Sequence, residues 1–200
     1  MNDSFRTIKQ PSPEVIFKDK NSKFFGFAFP FESENNIKSI IQDLKKEHQN
    51  AGHFCYAYQI GNSEQRYKVN DDGEPNNSAG MPIYGQIQSF ELTNVLVVVV
   101  RYFGGTKLGI SGLINAYRST AKLALEQCEI IEKTIDVKFI LRFEYKLMSK
   151  VMHLLKMNDA NITNQKLTES CLIEISVRKR NRNKVFELFN NYYGVQIDEL

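Results

Sequence analysis

Three of the 200 residues are cysteine, Cys55, Cys128 and Cys171. Odd in number and widely spaced, they supply neither a disulfide framework nor a paired CxxC zinc site, and they fit a reducing compartment. The longest apolar run, Val95 to Val100, falls far short of the roughly 20 residues that span a bilayer, so no membrane partner is expected. MNDSFRTIKQP lacks the apolar core of a signal peptide, and the chain is read as cytoplasmic. Net charge is also small, at +3. Residues 1 to 130 are balanced, and the whole surplus falls in the last third, where an anionic partner would be drawn. No internal repeat or low-complexity tract interrupts the chain.

What is present divides near residue 130. In the first part SKFFGFAFPF and HFCYAYQI read as strands, and SENNIKSIIQDLKKEHQ as a helix with Ile37, Ile40, Ile41 and Leu44 on one side and Ser33 as its N-cap. The polar stretch KVNDDGEPNNSAGMP reads as a loop, followed by a short helix near Ile83 to Phe90. Val95 to Val100 is apolar on both faces, as expected of a central strand covered on both sides. SGLINAYRSTAKLALEQ is a helix by Leu113, Tyr117, Ala121 and Ala124, with Ser111 placed to cap it.

The last third changes rhythm. TIDVKFILRFEY and CLIEISVRK alternate apolar and polar residues as strands with one wet face, LMSKVMHLLKMND is a helix, and RNKVFELFNNYY is a helix ending at Gly194. The expected architecture is α+β in two domains, 1–130 and 131–200, joined near Cys128 to Lys133, the second a ferredoxin-like α/β sandwich.

The glycine-rich RYFGGTKLG, Arg101 to Gly109, leaves the central strand for a helix. The Walker phosphate loop requires Lys and Ser/Thr after its second glycine, but Gly109 is followed by Ile110; the dinucleotide fingerprint fails on its first two glycines. A strand, a glycine turn and a helix N-terminus still favour an anion, with Arg101 and Lys107 adding charge. The plainer reading gives Gly104, Gly105 and Gly109 a backbone role and pairs Arg101 with a carboxylate. Asp71, Asp72 and Glu74 crowd DDGEP, where acids bind turn N–H groups, pair with Arg101 or hold a hard cation; the calcium-loop pattern is absent and no metal is expected. His53 and Cys55 share a strand face about 6.6 Å apart, too far for a dyad by a normal strand rise. The basic residues Arg178, Lys179, Arg180, Arg182 and Lys184, with Lys138 and Arg142 on a neighbouring strand, form either a phosphate-attracting surface or a solvated edge. No outward aromatics accompany them as an RNA-recognition sheet would require.

KNSKFFGFAFPF, AGHFCYAYQIG, VNDDGEPNNSAGMPI and VVVVRYFGGTKLGISGLINAY resemble, in order and spacing, the motifs of the YigZ/IMPACT family. The resemblance covers nearly the whole chain and points to the bacterial YigZ branch. It implies an amino-terminal domain like the second domain of ribosomal protein S-five and a carboxy-terminal domain like the last domain of elongation factor G. It also implies that DDGEP and RYFGG share a surface, bringing Asp71, Asp72 and Glu74 near Arg101 and Lys107, and the expected binding surface comprises these with His53, Tyr102, Phe103, Gly104, Gly105 and Gly109. Eukaryotic members regulate translation by binding a ribosome-associated activator of a stress kinase. The expected function is therefore a non-catalytic, cofactor-free cytoplasmic protein of translation or its regulation, binding RNA, the ribosome or a translation-associated protein. The alternative is an enzyme acting on a small anion between DDGEP and RYFGG, with Asp72 or Glu74 as acid/base and Arg101 with Lys107 as clamp. Two motifs depart from the family: Asn77, Ser78, Ala79 and Gly80 stand where GTAG is usual, and Asn115 stands where the post-loop helix usually carries an arginine.

Overall fold

The computed structural model describes residues 3–62 and 64–200. Its elements run β1 (Ser4–Ile8), β2 (Val15–Asp19), β3 (Ser22–Pro30), α1 (Ile37–Glu47), β4 (His53–Ile60), β5 (Arg66–Asn70), α2 (Gly80–Ser89), β6 (Val95–Tyr102) and α3 (Gly109–Glu126). They continue with β7 (Ile130–Thr134), β8 (Asp136–Glu144), α4 (Met148–Met157), β9 (Asn161–Lys166), β10 (Ser170–Arg178), α5 (Arg182–Asn190) and β11 (Val195–Glu199). Contacts divide the chain into Phe5–Lys133 and a second unit of Thr134–Leu200 with the chain's first residues through Ser4. The segment expected as a linker, Cys128 to Lys133, is largely the strand β7, which pairs with β1 in a two-stranded sheet.

The first unit is built on an antiparallel five-stranded sheet in the order β2-β3-β6-β4-β5. Strand β6 lies at its centre and is buried from Val95 to Arg101. Alternation splits its side chains between two cores. Val95, Val97 and Val99 pack with α2 and α3, while Leu96, Val98 and Val100 join Phe27, Phe31, Tyr56 and Leu44 on the side of α1. Each such side chain contributes about 1.5–3 kcal/mol on burial. The same alternation carries Arg101 to the α2/α3 side, the one charged residue in a strand of valines.

Two turns fix the surroundings of this residue. Lys20 and Asn21 both have positive φ, 42° and 64°, and close the β2–β3 hairpin in the geometry that matches strand twist. Gly104 lies against that tip: a Cβ there would stand 2.1 Å from the Asn21 carbonyl carbon, so only glycine fits.

Three helix boundaries differ from expectation. α3 begins at Gly109, two residues before Ser111, and no side chain caps it. Ser33 caps the short 3-10 turn Glu34–Asn36 that leads into α1. α5 ends at Asn190, and Gly194, with φ of 84°, belongs to the turn into β11.

In the second unit the sheet order is β11-β8-β10-β9, fully antiparallel, with helices following β8 and β10. This is the ferredoxin-like arrangement. Its register sets Phe139 opposite Ile175, Leu141 opposite Ile173 and Phe143 opposite Cys171, making one apolar face against α4 and α5.

Candidate functional site

The acidic loop and the glycine loop meet inside the first unit. Asp71 closes a turn to Glu74 (N to O 2.9 Å), with Asp72 and Gly73 at φ of 40° and 86°, an Asp-Gly pair in its favoured turn geometry. The Asp71 carboxylate accepts from the backbone N–H groups of Asn77 (2.9 Å), Ala79 (3.0 Å) and Gly80 (2.8 Å). It thus caps α2 from a distance, which is why that helix starts at Gly80, three residues ahead of the apolar pattern. Asp72 uses Oδ2 to accept from Phe54 N–H at 2.7 Å. Both acids are therefore occupied in organising backbone.

Glu74 turns inward and is 8% exposed. Its Oε1 accepts from Arg101 Nη1 at 2.6 Å and from the Tyr117 hydroxyl at 2.7 Å. Arg101, 5% exposed, lies between the rings of Phe24 and Phe103, each centroid 5.5 Å from Cζ, and its buried Nε has no hydrogen-bond partner. Cys55 Sγ is 3.0 Å from the Asp71 carbonyl and 3.3 Å from the Tyr117 hydroxyl, and its one proton serves either acceptor. Burial, above all, holds the Cys55 thiol well above its ordinary pKa, with the nearby Glu74, Asp72 and Asp71 carboxylates adding to the shift and the Tyr117 hydrogen bond opposing it. Burial likewise raises the Tyr117 phenol, helped by Cys55 and Glu74. Both groups stay protonated, so neither serves as a ready nucleophile or base.

His53 stands at the edge of this cluster. Its Nδ1 donates to the Asp72 carbonyl at 2.8 Å, leaving Nε2 4.0 Å from Glu74 Oε1. Among the described residues no group of three or more His, Cys, Asp or Glu is placed to hold a metal ion.

The remaining expected site residues lie apart. Tyr102 points to the other sheet face, where its hydroxyl is 3.0 Å from His48 Nδ1. Strand alternation dictates this, because Tyr102 follows Arg101 directly. Lys107 is exposed, whereas Arg101 is buried, and it makes no ion pair among the described residues. Gly105 and Gly109 take φ of 83° and 76°, with open space where a Cβ would stand. Asn115 is exposed on α3.

Four of the seven basic residues expected to form a surface on the second unit meet carboxylates. Arg142 pairs with Asp198, Arg182 grips Glu199 through Nε at 3.0 Å, and Arg178 and Arg180 both reach Asp3, at 3.2 and 3.7 Å. Lys138, Lys179 and Lys184 make no ion pair among the described residues. Folding thus brings three carboxylates, Asp198 and Glu199 of β11 and Asp3, among the seven cations.

Tyr117 was legible only as one of four residues on the apolar stripe of α3. Its role as a polar tip aimed at Glu74 depends on α3 lying across β3 and β6, which spacing along the helix does not reveal.

Residues 20–125 match the Impact N-terminal domain. The IMPACT family member YvyE of Bacillus subtilis is 31% identical over 184 residues, covering 92% of this chain and 84% of that protein. The IMPACT family member YigZ of Escherichia coli is 30% identical over 165 residues, or 82% and 81% of the two chains. A crystal structure of a hypothetical protein superposes over 100% of this chain and 98% of its own, with 26% identity and a TM-score of 0.74. The motif residues that meet around Glu74 thus sit inside a matched domain, and the chain belongs to the IMPACT family.

Proposed function

We propose that this chain is a non-catalytic cytoplasmic protein of translation or its regulation, which binds the ribosome or a protein carried on it through the loop between β6 and α3. The translation setting follows from membership of a family whose eukaryotic members regulate translation by such contacts. One observation carries the binding role: Glu74 of DDGEP and Arg101 of RYFGG use their charges on each other inside the fold, leaving Phe103 and Lys107 of the loop and Ile110 in the first turn of α3 outward. Phe103 is 56% and Ile110 60% exposed. Two large apolar side chains beside a free lysine suit a macromolecular contact.

Catalysis has less support, since Glu74 is shared between Arg101 and Tyr117 and Asp72 is held by Phe54 N–H. Direct RNA binding through the second unit has less support too, because four of its arginines already face carboxylates. The test is co-sedimentation of the purified protein with ribosomes on sucrose gradients. Wild type is expected in the ribosomal fractions, and Phe103→Ala with Ile110→Ala should lower the bound fraction at least tenfold. Wild type remaining at the top of the gradient at every salt concentration overturns the reading. Loss of binding in Lys138→Glu with Lys179→Glu and Lys184→Glu, but not in the loop variant, moves the site to RNA contacts of the second unit.

A further inference from the structure

On the sheet face opposite Glu74 and Arg101, α1 leaves a groove of about 290 Å³ against β4 and β5. Its floor is apolar, made by Ile41 on α1 and by Phe54 and Tyr56 on β4. One bank carries Lys38 and Lys45, one above the other seven residues apart on α1. The other bank ends at Asp72, whose Oδ2 already accepts from the Phe54 amide. Lys45 stands 5.4 Å from the Phe54 ring centroid and, like Lys38, makes no ion pair among the described residues. Register places Lys68 and Arg66 of β5 on the same face, opposite Tyr58 and Ile60, and neither has an ion pair among the described residues.

We propose that this groove binds an acidic peptide segment bearing one large apolar side chain. The apolar floor is short and accepts a single anchor, while Lys38 and Lys45, two helical turns apart on the α1 bank, outnumber the one carboxylate lining the groove, Asp72. Carboxylates on either side of the anchor would meet them, and Lys68 and Arg66 extend the attraction along β5. Anchor burial supplies affinity and the cations supply orientation and rate. Because the α1 face and the Phe103–Ile110 loop are on different elements and opposite sheet faces, this inference stands or falls separately from the reading above.

Selection from a random decapeptide library on the immobilised full chain tests it. Peptides with Asp or Glu flanking a Leu, Ile or Phe are expected to be enriched, and their affinity should fall as salt rises. Lys38→Glu with Lys45→Glu, both on exposed positions, should weaken the selected peptides at least tenfold with the unfolding midpoint unchanged, while Phe103→Ala with Ile110→Ala binds them as wild type does. Bound peptide should shift the methyl resonances of Ile37 and Ile41. Absence of acidic enrichment, or equal binding by the Lys38/Lys45 variant, overturns the proposal. So does a labelled oligouridylate that binds the wild type and is lost in that variant, which would make the groove a nucleic-acid contact.

Discussion

Arg101 is the residue on which the first unit turns. A guanidinium between two aromatic rings, buried to 5% exposure, is tolerable because Glu74 faces it at 2.6 Å and Tyr117 braces Glu74 from the other side. Taking both charges out of water is costly, and removing one partner leaves the other uncompensated. Glu74→Gln is therefore expected to destabilise the first unit by about 3–5 kcal/mol in urea unfolding. The double variant Glu74→Gln with Arg101→Met should recover most of that loss, since no unpaired charge is left inside; a double variant as weak as the single one would show that the pair itself is the stabilising element. The residues leave the DDGEP acids open to turn N–H groups, to Arg101 or to a cation, and only the family resemblance brings them beside RYFGG; in the fold Glu74 takes Arg101 while Asp71 and Asp72 take backbone N–H groups. The inward orientation of Glu74 and Arg101 was not legible. It is set by which face of β6 an odd-numbered position occupies and by what α3 places opposite.

Among the elements, sequence revealed best those whose side chains report on burial. β6, β8 and β10 alternate or run apolar because each faces a core. β9 carries no such signal: all six of its residues are exposed, so nothing in NITNQK records a core. β1, β7 and β11 are five residues each and too short to show a period. A glycine after an apolar-periodic stretch predicts a helix stop, but α5 ends at Asn190 and the positive φ of Gly194 serves the turn into β11. The glycine loop illustrates the same ambiguity: its three glycines look alike in sequence and differ in space. Gly104→Ala sets a methyl 2.1–2.3 Å from the Asn21 and Ser22 backbone and must displace the β2–β3 hairpin tip. Gly105→Ala meets open space and incurs only the left-handed backbone strain, about 1 kcal/mol. Thermal unfolding should separate the two clearly, with the Gly104 variant far less stable; equal midpoints would refute the close seat.

At the scale of the whole molecule, protonation links the buried cluster to solution conditions. The ordinary pKa values of Cys55 and Tyr117 are 9.0 and 10.0, and burial raises both in the folded chain. Above about pH 9 the unfolded chain releases protons that the folded chain keeps, so stability is fully present below that pH and falls as pH rises. Each group adds about 1.4 kcal/mol per pH unit once its unfolded form is ionised. The first unit should therefore lose stability steeply between about pH 9 and 11, and Cys55→Ala with Tyr117→Phe should flatten the slope even if the variant starts less stable. Calorimetry across that range measures it, and a slope unchanged in the double variant would assign the loss to other groups. The two-unit division was visible in the change of rhythm near residue 130, but the crossover of the amino terminus was not: Asp3 bonds Ile135 N–H and two arginines of the second unit, a long-range closure that no local pattern announces.

The seat of Gly104 on the Asn21 peptide also constrains inheritance. The hairpin tip and the loop after β6 are 82 residues apart, yet Gly104 N–H reaches Ser22 Oγ at 3.2 Å. A residue gained in one must be answered by a change in the other. A chimera that takes its hairpin from one relative and its glycine loop from another is therefore expected to unfold at a lower temperature than either parent, because it joins halves shaped against different counterparts.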